Sequence, residues 1–476
     1  MPYTLGPVPT GGVAHAGGTS GGDDVARTEE ERVAHVWLRL GFGPAPGDVA
    51  AGIAQGGASP VVDDLLARPA TTPTAWGWPA EQNDGQDILR LVNRLFELWA
   101  TKPGAVQERI SWILNGLLVA GYGGQVQFGE MRAHFNRLRS WPTASYRSLL
   151  SNVIGSAALQ IYLTGINSMP PHANENLARE LMELFSLGVT NPRTGALNYS
   201  EADVKEIARA LTGYKFDTSS RALSFSSANW DSGSKTFLGG DRGAAKLAEV
   251  INAVATHDSF RFFVPQRFYR ELMGFDPSPS ALDDMADVWS PDGNLQALVS
   301  HIAHRPEFLA DTTIGNRVKS PVELLVRAVR VLGKADLWTV HSWMMSRQLH
   351  QRPELPPNVS GWEGSNWLSP GHIVVWSDVA HTLCMSDRGA SFDGTRYEVP
   401  PTERNVNLRA FYETADRSTA ADIAFEMAGL YDVSAETRGA VDAFANEQST
   451  VGEPWSWERA CGVMQMVFIS PEFLVG

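Results

Sequence analysis

The chain of 476 residues is 43% hydrophobic and contains 15 tryptophans, which supplies a sizeable core and excludes a wholly disordered protein. Its formal net charge of −14 repels phosphate backbones, and because no basic patch interrupts that charge, nucleic acid is not an expected partner. The two cysteines, Cys384 and Cys461, have no CxxC or Cys/His ligand spacing, so they predict buried thiols rather than a disulfide framework or a zinc site.

The hydrophobic pattern of the chain and the composition of its N-terminal segment predict where the protein is located and where its ordered structure begins. No run of about 18 uninterrupted apolar residues occurs in the chain, so no membrane span is expected. The opening segment has neither a basic n-region nor an apolar h-region, so it does not match a secretory signal and a cytoplasmic protein is expected. Residues 1–25 cannot bury enough apolar area to offset chain entropy, which predicts a flexible head.

Helical periodicity begins directly after this head. Thr28 followed by Glu31 is a capping-box pattern, and apolar residues then recur at helical spacing until Leu40, where Gly41 ends the helix. Later segments bounded by proline or glycine show the same period, over residues 61–67, 87–99, 105–118 and 146–163.

One stretch departs from the helical period. Residues 221–240 have short alternating runs around the turn-forming residues 231–233, which predicts a small β-hairpin. Helical patterns resume over residues 244–349 and, after a loop at 356–368, continue to the C-terminus. Because no linker divides the chain, we predict a mainly α fold in which residues 26–476 form a single large multi-helix domain.

The densest group of polar side chains lies on the helix predicted over residues 172–185. Its apolar face consists of Leu177, Leu181, Leu184 and Phe185. The other side carries three carboxylates, a guanidinium, an amide and an imidazole: Glu175, Glu180, Glu183, Arg179, Asn176 and His172. Asn174 at the N-cap and Gly188 just past the end bound the helix.

This polar side has two interpretations. One is a solvated amphipathic helix with Glu–Arg pairs, each worth a few tenths of a kcal/mol. The other is a buried network in which the carboxylates are paired, protonated or metal-bound, because unpaired buried charge is too costly. The segment contains no lysine and uses Arg179 alone, whose fork can hold two carboxylates. We therefore predict that this face is buried and forms the functional centre.

The roles at this predicted centre follow from side-chain chemistry. Glu175, Glu180 and Glu183 are the catalytic acid–base candidates, with Arg179 fixing their ionisation and His172 beside them. A divalent metal is a candidate cofactor, because carboxylates and imidazole suit such ions; its candidate ligands are Glu180, Glu183 and His172. The amide of Asn176 is a substrate-binding candidate.

A second capped helix follows at once. Ser200 and Asp203 form a capping-box pattern with aspartate in the glutamate position, and Gly213 ends the apolar stripe that follows. Arg209 lies on the polar side of this helix and is a second substrate-binding candidate. An antiparallel helix pair is predicted, with residues 188–199 as its loop.

The two helices carry a family resemblance. NENLARELMELFSLGV at 174–189 and YSEADVKEIARALTGY at 199–214 resemble the signature of the bacterial family called domain of unknown function 1800. The likeness extends to RLGFGPAPGDV at 39–49, PPNVSGWEGSNWL at 356–368 and ISPEFL at 469–474. The resemblance implies an all-helical bacterial protein, in relatives often exported and encoded beside a sulfatase-like partner family, and it implies no agreed chemistry.

The chain departs from this family at two histidine positions. Relatives tend to carry a His-rich FWHNHF-like segment where residues 111–121 read SWILNGLLVAG, and a His-Asp-x-Gly-x-Lys hairpin where Trp230 precedes Asp231 and Lys235. A metal site that relied on those histidines is in doubt here. Asp231 and Lys235 remain as substrate-binding candidates, and Trp362 joins them as a residue that either anchors its loop or walls a pocket.

Other motifs favour structural roles. Asp283, Asp284 and Asp287 match the DDxxD pattern of terpene cyclases, but an exposed helix face is the favoured interpretation. The neighbours His257 and Asp258 predict a core or capping role. The pair His301 and His304 predicts a helix end at the surface.

The sequence thus leads to three hypotheses of function. The first is an enzyme with a carboxylate-rich, metal-assisted site on the 172–185 helix, acting on a small-molecule or peptide substrate. The second is a non-catalytic scaffold or partner-binding protein, for which the family resemblance suggests a sulfatase-like partner. The third is a haem-dependent or diphosphate-processing enzyme, although no histidine stands out as an axial haem ligand.

Overall fold

Capped helices make up most of the computed structural model, which describes residues 26–72, 76–83, 85–101, 104–333, 347–362, 367–385, 405–447 and 455–476. The predicted flexible head, residues 1–25, lies outside the described residues. The helices of the first half are α1 Glu29–Leu40, α2 Asp48–Ala54, α3 Ala58–Ala67, α4 Asp87–Thr101, α5 Ala105–Leu117, α6 Phe128–Arg139, α7 Tyr146–Ile154, α8 Ala157–Tyr162, α9 Glu175–Glu183 and α10 Glu201–Ala210.

The second half continues in the same way after two short strand pairs. Its helices are α11 Leu247–Ala255, α12 Phe260–Met273, α13 Pro279–Trp289, α14 Leu295–Ala303, α15 Pro321–Leu332, α16 Pro370–Met385, α17 Val406–Thr414, α18 Ala420–Met427, α19 Ala435–Asn446, α20 Trp457–Phe468 and α21 Pro471–Leu474. The predicted mainly α fold is confirmed. Among the described helices, none is both long and apolar enough to cross a membrane.

The β-structure consists of two small antiparallel pairs. Strand β1, Tyr214–Asp217, pairs with β2, Ala222–Phe225, and β3, Thr236–Phe237, pairs with β4, Gly240–Asp241. The predicted small hairpin is present, but the first pair begins before residue 221. Its turn forms where Asp217 Oδ1 accepts from the backbone of the two serines that follow, an Asx-type turn. Residues 231–233, expected to form the turn, connect the two pairs instead.

Capping side chains explain where the helices start and stop. Both predicted capping boxes are present, at Thr28 with Glu31 and at Ser200 with Asp203, and each satisfies backbone N–H groups that have no partner within the helix. The segment predicted as one helix over 146–163 is two helices, because α7 ends at Gly155 and Ser156 caps α8.

The buried apolar side chains form one cluster that extends from Val33 in α1 to Leu474 in α21. Helix α15 lies inside it and packs against α4, α16 and α17, and most of its residues are buried. The backbone of Val318, just before α15, bridges to Val475 after α21. Both cysteines are buried, as predicted.

The buried imidazole of His134 in α6 generates a prediction about stability. Burial, and then the charge of Arg137, lowers the pKa of His134 from 6.5 to about 3. As the pH falls through about 6.5, the unfolded chain binds a proton that the folded protein does not bind until about pH 3. The folded protein should therefore lose stability in that window, by at most about 1.4 kcal/mol per pH unit from this group.

Urea denaturation at pH 7 and pH 4.5 measures this loss. Between these two pH values, the free energy of unfolding of the His134→Gln variant should fall by about 2–3 kcal/mol less than that of the wild type. The control variant His172→Gln replaces an exposed histidine and should behave as the wild type does. Parallel losses in His134→Gln and the wild type would contradict the prediction.

Candidate functional site

The predicted catalytic helix is α9, and its polar side faces solvent. Arg179 keeps 34% of its side-chain exposure and donates to the two carboxylate oxygens of Glu201 at 2.9 and 2.8 Å. Glu201 is 67% exposed. Glu175, 41% exposed, lies 3.7 Å from Arg179. These contacts are ion pairs at the surface, which are screened by water and salt.

The prediction that this polar face is buried is therefore wrong. Helix α9 buries Leu177, Ala178, Leu181 and Met182, and it packs beside α10, which leaves its polar row at the edge of the helix pair. The use of arginine instead of lysine has a geometric reason, because the fork of Arg179 holds both oxygens of Glu201 and so joins the two helices.

Glu180 and Glu183 are more enclosed than the rest of the row, and both are half-buried. The Tyr199 hydroxyl donates to Glu183 Oε2 at 3.3 Å. Burial, and then the charge of Glu183, raises the pKa of Glu180. Two neighbouring carboxylates, one of which holds its proton more tightly than usual, are the part of α9 suited to acid–base chemistry.

The other members of the predicted α9 site do not join this carboxylate pair. His172 precedes the helix and is exposed, as is Asn176, whose backbone N–H donates to the N-cap Asn174. In the part of the chain that the structure describes, no group of three or more His, Cys, Asp and Glu side chains is placed to hold a metal ion. The predicted ligand set of Glu180, Glu183 and His172 is therefore not assembled.

Three predicted substrate-binding residues do come together beside the strand pairs. Arg209 donates to Asp231 at 2.8 and 3.0 Å and also to Glu206. Lys235 is fully buried, and its ammonium donates to the backbone oxygens of Asp231 and Gly233 at 2.6 and 2.8 Å. These contacts satisfy the buried ammonium and hold the 231–235 turn in place.

The DDxxD sequence lies on the exposed face of α13. Asp283 and Asp284 lie 2.8 and 3.1 Å from Arg193 and Arg305 in surface ion pairs. His304 bonds an aspartate of α3 at 2.9 Å. The exposed-face interpretation is supported, and these contacts give no support to diphosphate chemistry.

Trp362 lies in a different part of the molecule, where it lines a cavity of about 310 Å³ between α5, α12, the start of α15 and the loop before α16. The aromatic lining residues are Trp112, Phe268, Trp362 and Trp367, and the charged ones are Arg267, Arg270, Glu271, Arg317 and Glu323. The ring centroids of Trp112 and Trp362 are 5.1 Å apart. Trp362 therefore both anchors its loop and lines the cavity, the two roles that the sequence left open.

The cavity lies over a carboxylate that two guanidiniums share. Glu323, in the first turn of α15, is 5% exposed, and its Oε1 lies 2.5 Å from Nη1 of Arg109, which is 1% exposed. Arg317 bonds both oxygens of Glu323, with Nη1 to Oε2 at 3.0 Å. Burial alone would raise the pKa of Glu323, but these two guanidiniums hold it well below its ordinary value.

Two further buried cations surround this group. Arg39 donates to the backbone oxygen of Thr313 at 3.1 Å, and Lys319 donates to that of Phe473 at 3.0 Å. Burial, and then the charges of Arg317 and Arg109, holds the pKa of Arg39 well below its ordinary value. The pKa of Lys319 is lowered in the same way by burial and neighbouring arginines. The pKa of Arg317 is raised instead, because Glu323 and Glu271 outweigh the effect of burial. An opposite charge nearby would favour the charged forms of Arg39 and Lys319.

The carboxylates near these cations carry less negative charge than the cations carry positive charge. Glu323 and Glu271 are the acidic groups that influence Arg39, Arg109 and Arg317. Glu271 is exposed at the cavity rim, where water screens its charge. Positive charge is therefore in excess beneath the cavity.

A second cavity, of about 390 Å³, lies between the starts of α7 and α14. Of the described residues that line it, Asp292 is the charged one, and Asp292 is 58% exposed and 3.0 Å from Arg147. Because its polar groups face water or cap helices, this cavity has no comparable reason to hold a ligand.

The family described as "Protein of unknown function (DUF1800)" matches residues 35–475. No curated protein and no solved structure matches the chain. The matched range includes α9, α10 and the described residues that line the cavity walled by Trp112, Trp362 and Trp367, called here the tryptophan-walled cavity.

The exposed position of Arg179 leads to a prediction. Arg179→Ala should lower the free energy of unfolding by less than about 1 kcal/mol, because a partly exposed pair contributes little. The matched control is Arg139→Ala, which breaks a pair with Glu108 in which both side chains are 1% exposed. That change should cost about 3–5 kcal/mol. Equal losses in urea denaturation would show that the α9 face is not the surface network described.

Proposed function

The chain belongs to the DUF1800 family, whose description names no activity, and from that premise we propose that its functional site is the tryptophan-walled cavity, which binds an anionic small molecule. The observation that carries this proposal is the carboxylate of Glu323, shared by Arg109 and Arg317 beneath the cavity. The single negative charge of Glu323 lies between the buried guanidinium of Arg109 and the partly exposed guanidinium of Arg317, which leaves a site that attracts a further anion.

Arg317 is the residue that an anion can reach. It lines the cavity and keeps 18% of its side-chain exposure, whereas Arg109 is 1% exposed. A guanidinium presents paired N–H donors that match carboxylate and phosphate oxygens, and such charge-assisted bonds are about twice as strong as neutral ones. Because Arg109 also holds Glu323, Arg317 can share its donors with a ligand without leaving that carboxylate unpaired.

The cavity has the dimensions of a small-molecule site. Its volume of about 310 Å³ is at the lower end of the roughly 300–1,000 Å³ usual for ligand pockets. Its lining combines tryptophan rings with charged and polar side chains, among them Arg317, Glu323 and Gln351. Residues 111–121, where the resemblance placed a His-rich segment in relatives, contribute Trp112, Ile113 and Gly116 to one wall.

Isothermal titration with inorganic phosphate and sulfate tests the proposal. The wild type should bind these anions, and binding should weaken with added sodium chloride because both partners are charged. Arg317→Gln should weaken anion binding at least tenfold. The affinity of Arg317→Lys should lie between those of the wild type and Arg317→Gln, because lysine cannot form the forked contact. Arg193→Gln, which removes an exposed arginine paired with Asp283, is the control and should bind as the wild type does.

A wild type that binds neither anion, or an Arg317→Gln variant that binds them equally well, would contradict the proposal. Circular dichroism at the titration temperature separates a loss of binding from a loss of fold. If Arg317→Gln unfolds, Arg267→Gln replaces a second, half-buried arginine of the lining and should also weaken binding.

We propose as a second candidate that Glu180 and Glu183 form an acid–base pair, which retains the enzymatic hypothesis. The raised pKa of Glu180 and the hydroxyl of Tyr199 on Glu183 favour it. The raised pKa means that Glu180 holds its proton more tightly than an ordinary glutamate, as a general acid beside a second carboxylate requires.

Carbon-detected NMR titration of the glutamate carboxyls tests this pair. The pKa of Glu180 should lie above the ordinary glutamate value in the wild type, and Glu183→Gln should lower it because the nearby negative charge is gone. Glu175→Gln, on the same helix but paired with Arg179, should leave the pKa of Glu180 unchanged. An ordinary pKa for Glu180 in the wild type would remove the support for this candidate.

A further inference from the structure

The aromatic wall of the cavity is rigidly held. The ring of Trp112 is 5.1 Å from that of Trp362 and 5.3 Å from that of Trp99, and Trp99 in turn lies 5.2 Å from Phe96 and 5.6 Å from Phe42. Trp112, Trp99, Phe96 and Phe42 are all buried. The surface that these rings support is therefore set before any ligand arrives.

Gly116 leaves open space in this wall. One helical turn beyond Trp112, it lines the cavity, and a Cβ built on it would meet no atom of the described residues within 4 Å. The loop residue Gly361 lies directly on the backbone of Gly116, since a Cβ at Gly361 would come within 2.6 Å of the Gly116 oxygen. The two glycines bring the Trp362 loop close to α5 while keeping the cavity open.

Aromatic walls alone fit two classes of ligand. An indole face attracts a cation such as a quaternary ammonium, and it also stacks with a flat ring. Here the charge decides between them. The surplus of Arg39, Arg109, Arg317 and Lys319 over Glu323 repels a cation and attracts an anion.

From this combination we infer that the ligand of the cavity is an oxyanion carried on a flat apolar ring, that is, a small aromatic carboxylate or phosphate. The oxyanion would bond Arg317 and the ring would lie against Trp362 and Trp112. A cavity of about 310 Å³ has room for about ten water-sized groups, which suits one ring with one charged group. The inference rests on the proposed anion-binding function and adds the chemical class of the ligand.

The test compares matched ligands with and without a ring. In isothermal titration, phenyl phosphate should bind at least tenfold more tightly than inorganic phosphate, and benzoate at least tenfold more tightly than acetate. Phenyltrimethylammonium, which keeps the ring and reverses the charge, should not bind. The aromatic ligands should also change the tryptophan fluorescence, whereas inorganic phosphate should change it little.

Two variants separate the ring subsite from the anion subsite. Gly116→Leu fills the open space from a helical position, and Trp362→Leu removes one aromatic surface. Each should reduce the preference for phenyl phosphate over inorganic phosphate to less than threefold. Gly129→Leu is the matched control, because a Cβ at Gly129 in α6 also meets open space away from the cavity.

The outcomes distinguish this inference from the proposed function. If phosphate binds and phenyl phosphate binds no better, the inference is wrong and the anion site stands. If neither binds, both are wrong. The inference would also be overturned if phenyltrimethylammonium bound more tightly than phenyl phosphate. If Trp362→Leu does not fold, the comparison of Gly116→Leu with Gly129→Leu decides the result.

Discussion

The structure depends most on the buried ion group in which Arg109 and Arg317 share Glu323. It joins α5 to the segment before α15 and to the first turn of α15 itself, so three walls of the cavity meet at one carboxylate. Removing Glu323 would leave the buried guanidinium of Arg109 without its carboxylate partner, and breaking a buried pair in this way is costly. The same group that fixes the walls supplies the positive charge beneath the cavity, so stability and proposed binding depend on the same contacts.

The aromatic residues extend this constraint across the core. Phe42, which follows α1, lies 5.8 Å from the guanidinium of Arg109, and its ring stacks on Trp99. Trp99 contacts Trp112, and Trp112 contacts Trp362. A continuous series of packed side chains thus runs from the ion group to the cavity surface, and since packed interiors deform little, the cavity is expected to hold its shape without a ligand.

Local patterns in the sequence predicted the helices and their ends well, because caps such as Thr28 with Glu31 act over one turn. The site could not be predicted in this way. Arg39 and Arg109 are far from Arg317 and Glu323 in the sequence, and only tertiary packing brings them together. On α9 the absence of lysine suggested a buried face, but Arg179 uses its fork to join two helices at the surface. On α9, the choice of arginine at position 179 indicated how the side chain forms its hydrogen bonds, but it did not indicate how deeply the side chain is buried.

If the positive charge beneath the cavity binds an oxyanion, a crystal of the protein grown with selenate should show it, because selenium gives an anomalous signal that water and sulfate do not match. An anomalous peak is expected inside the tryptophan-walled cavity, within hydrogen-bond distance of the Arg317 guanidinium. Selenate peaks confined to surface arginines, with only water beside Arg317, would contradict it.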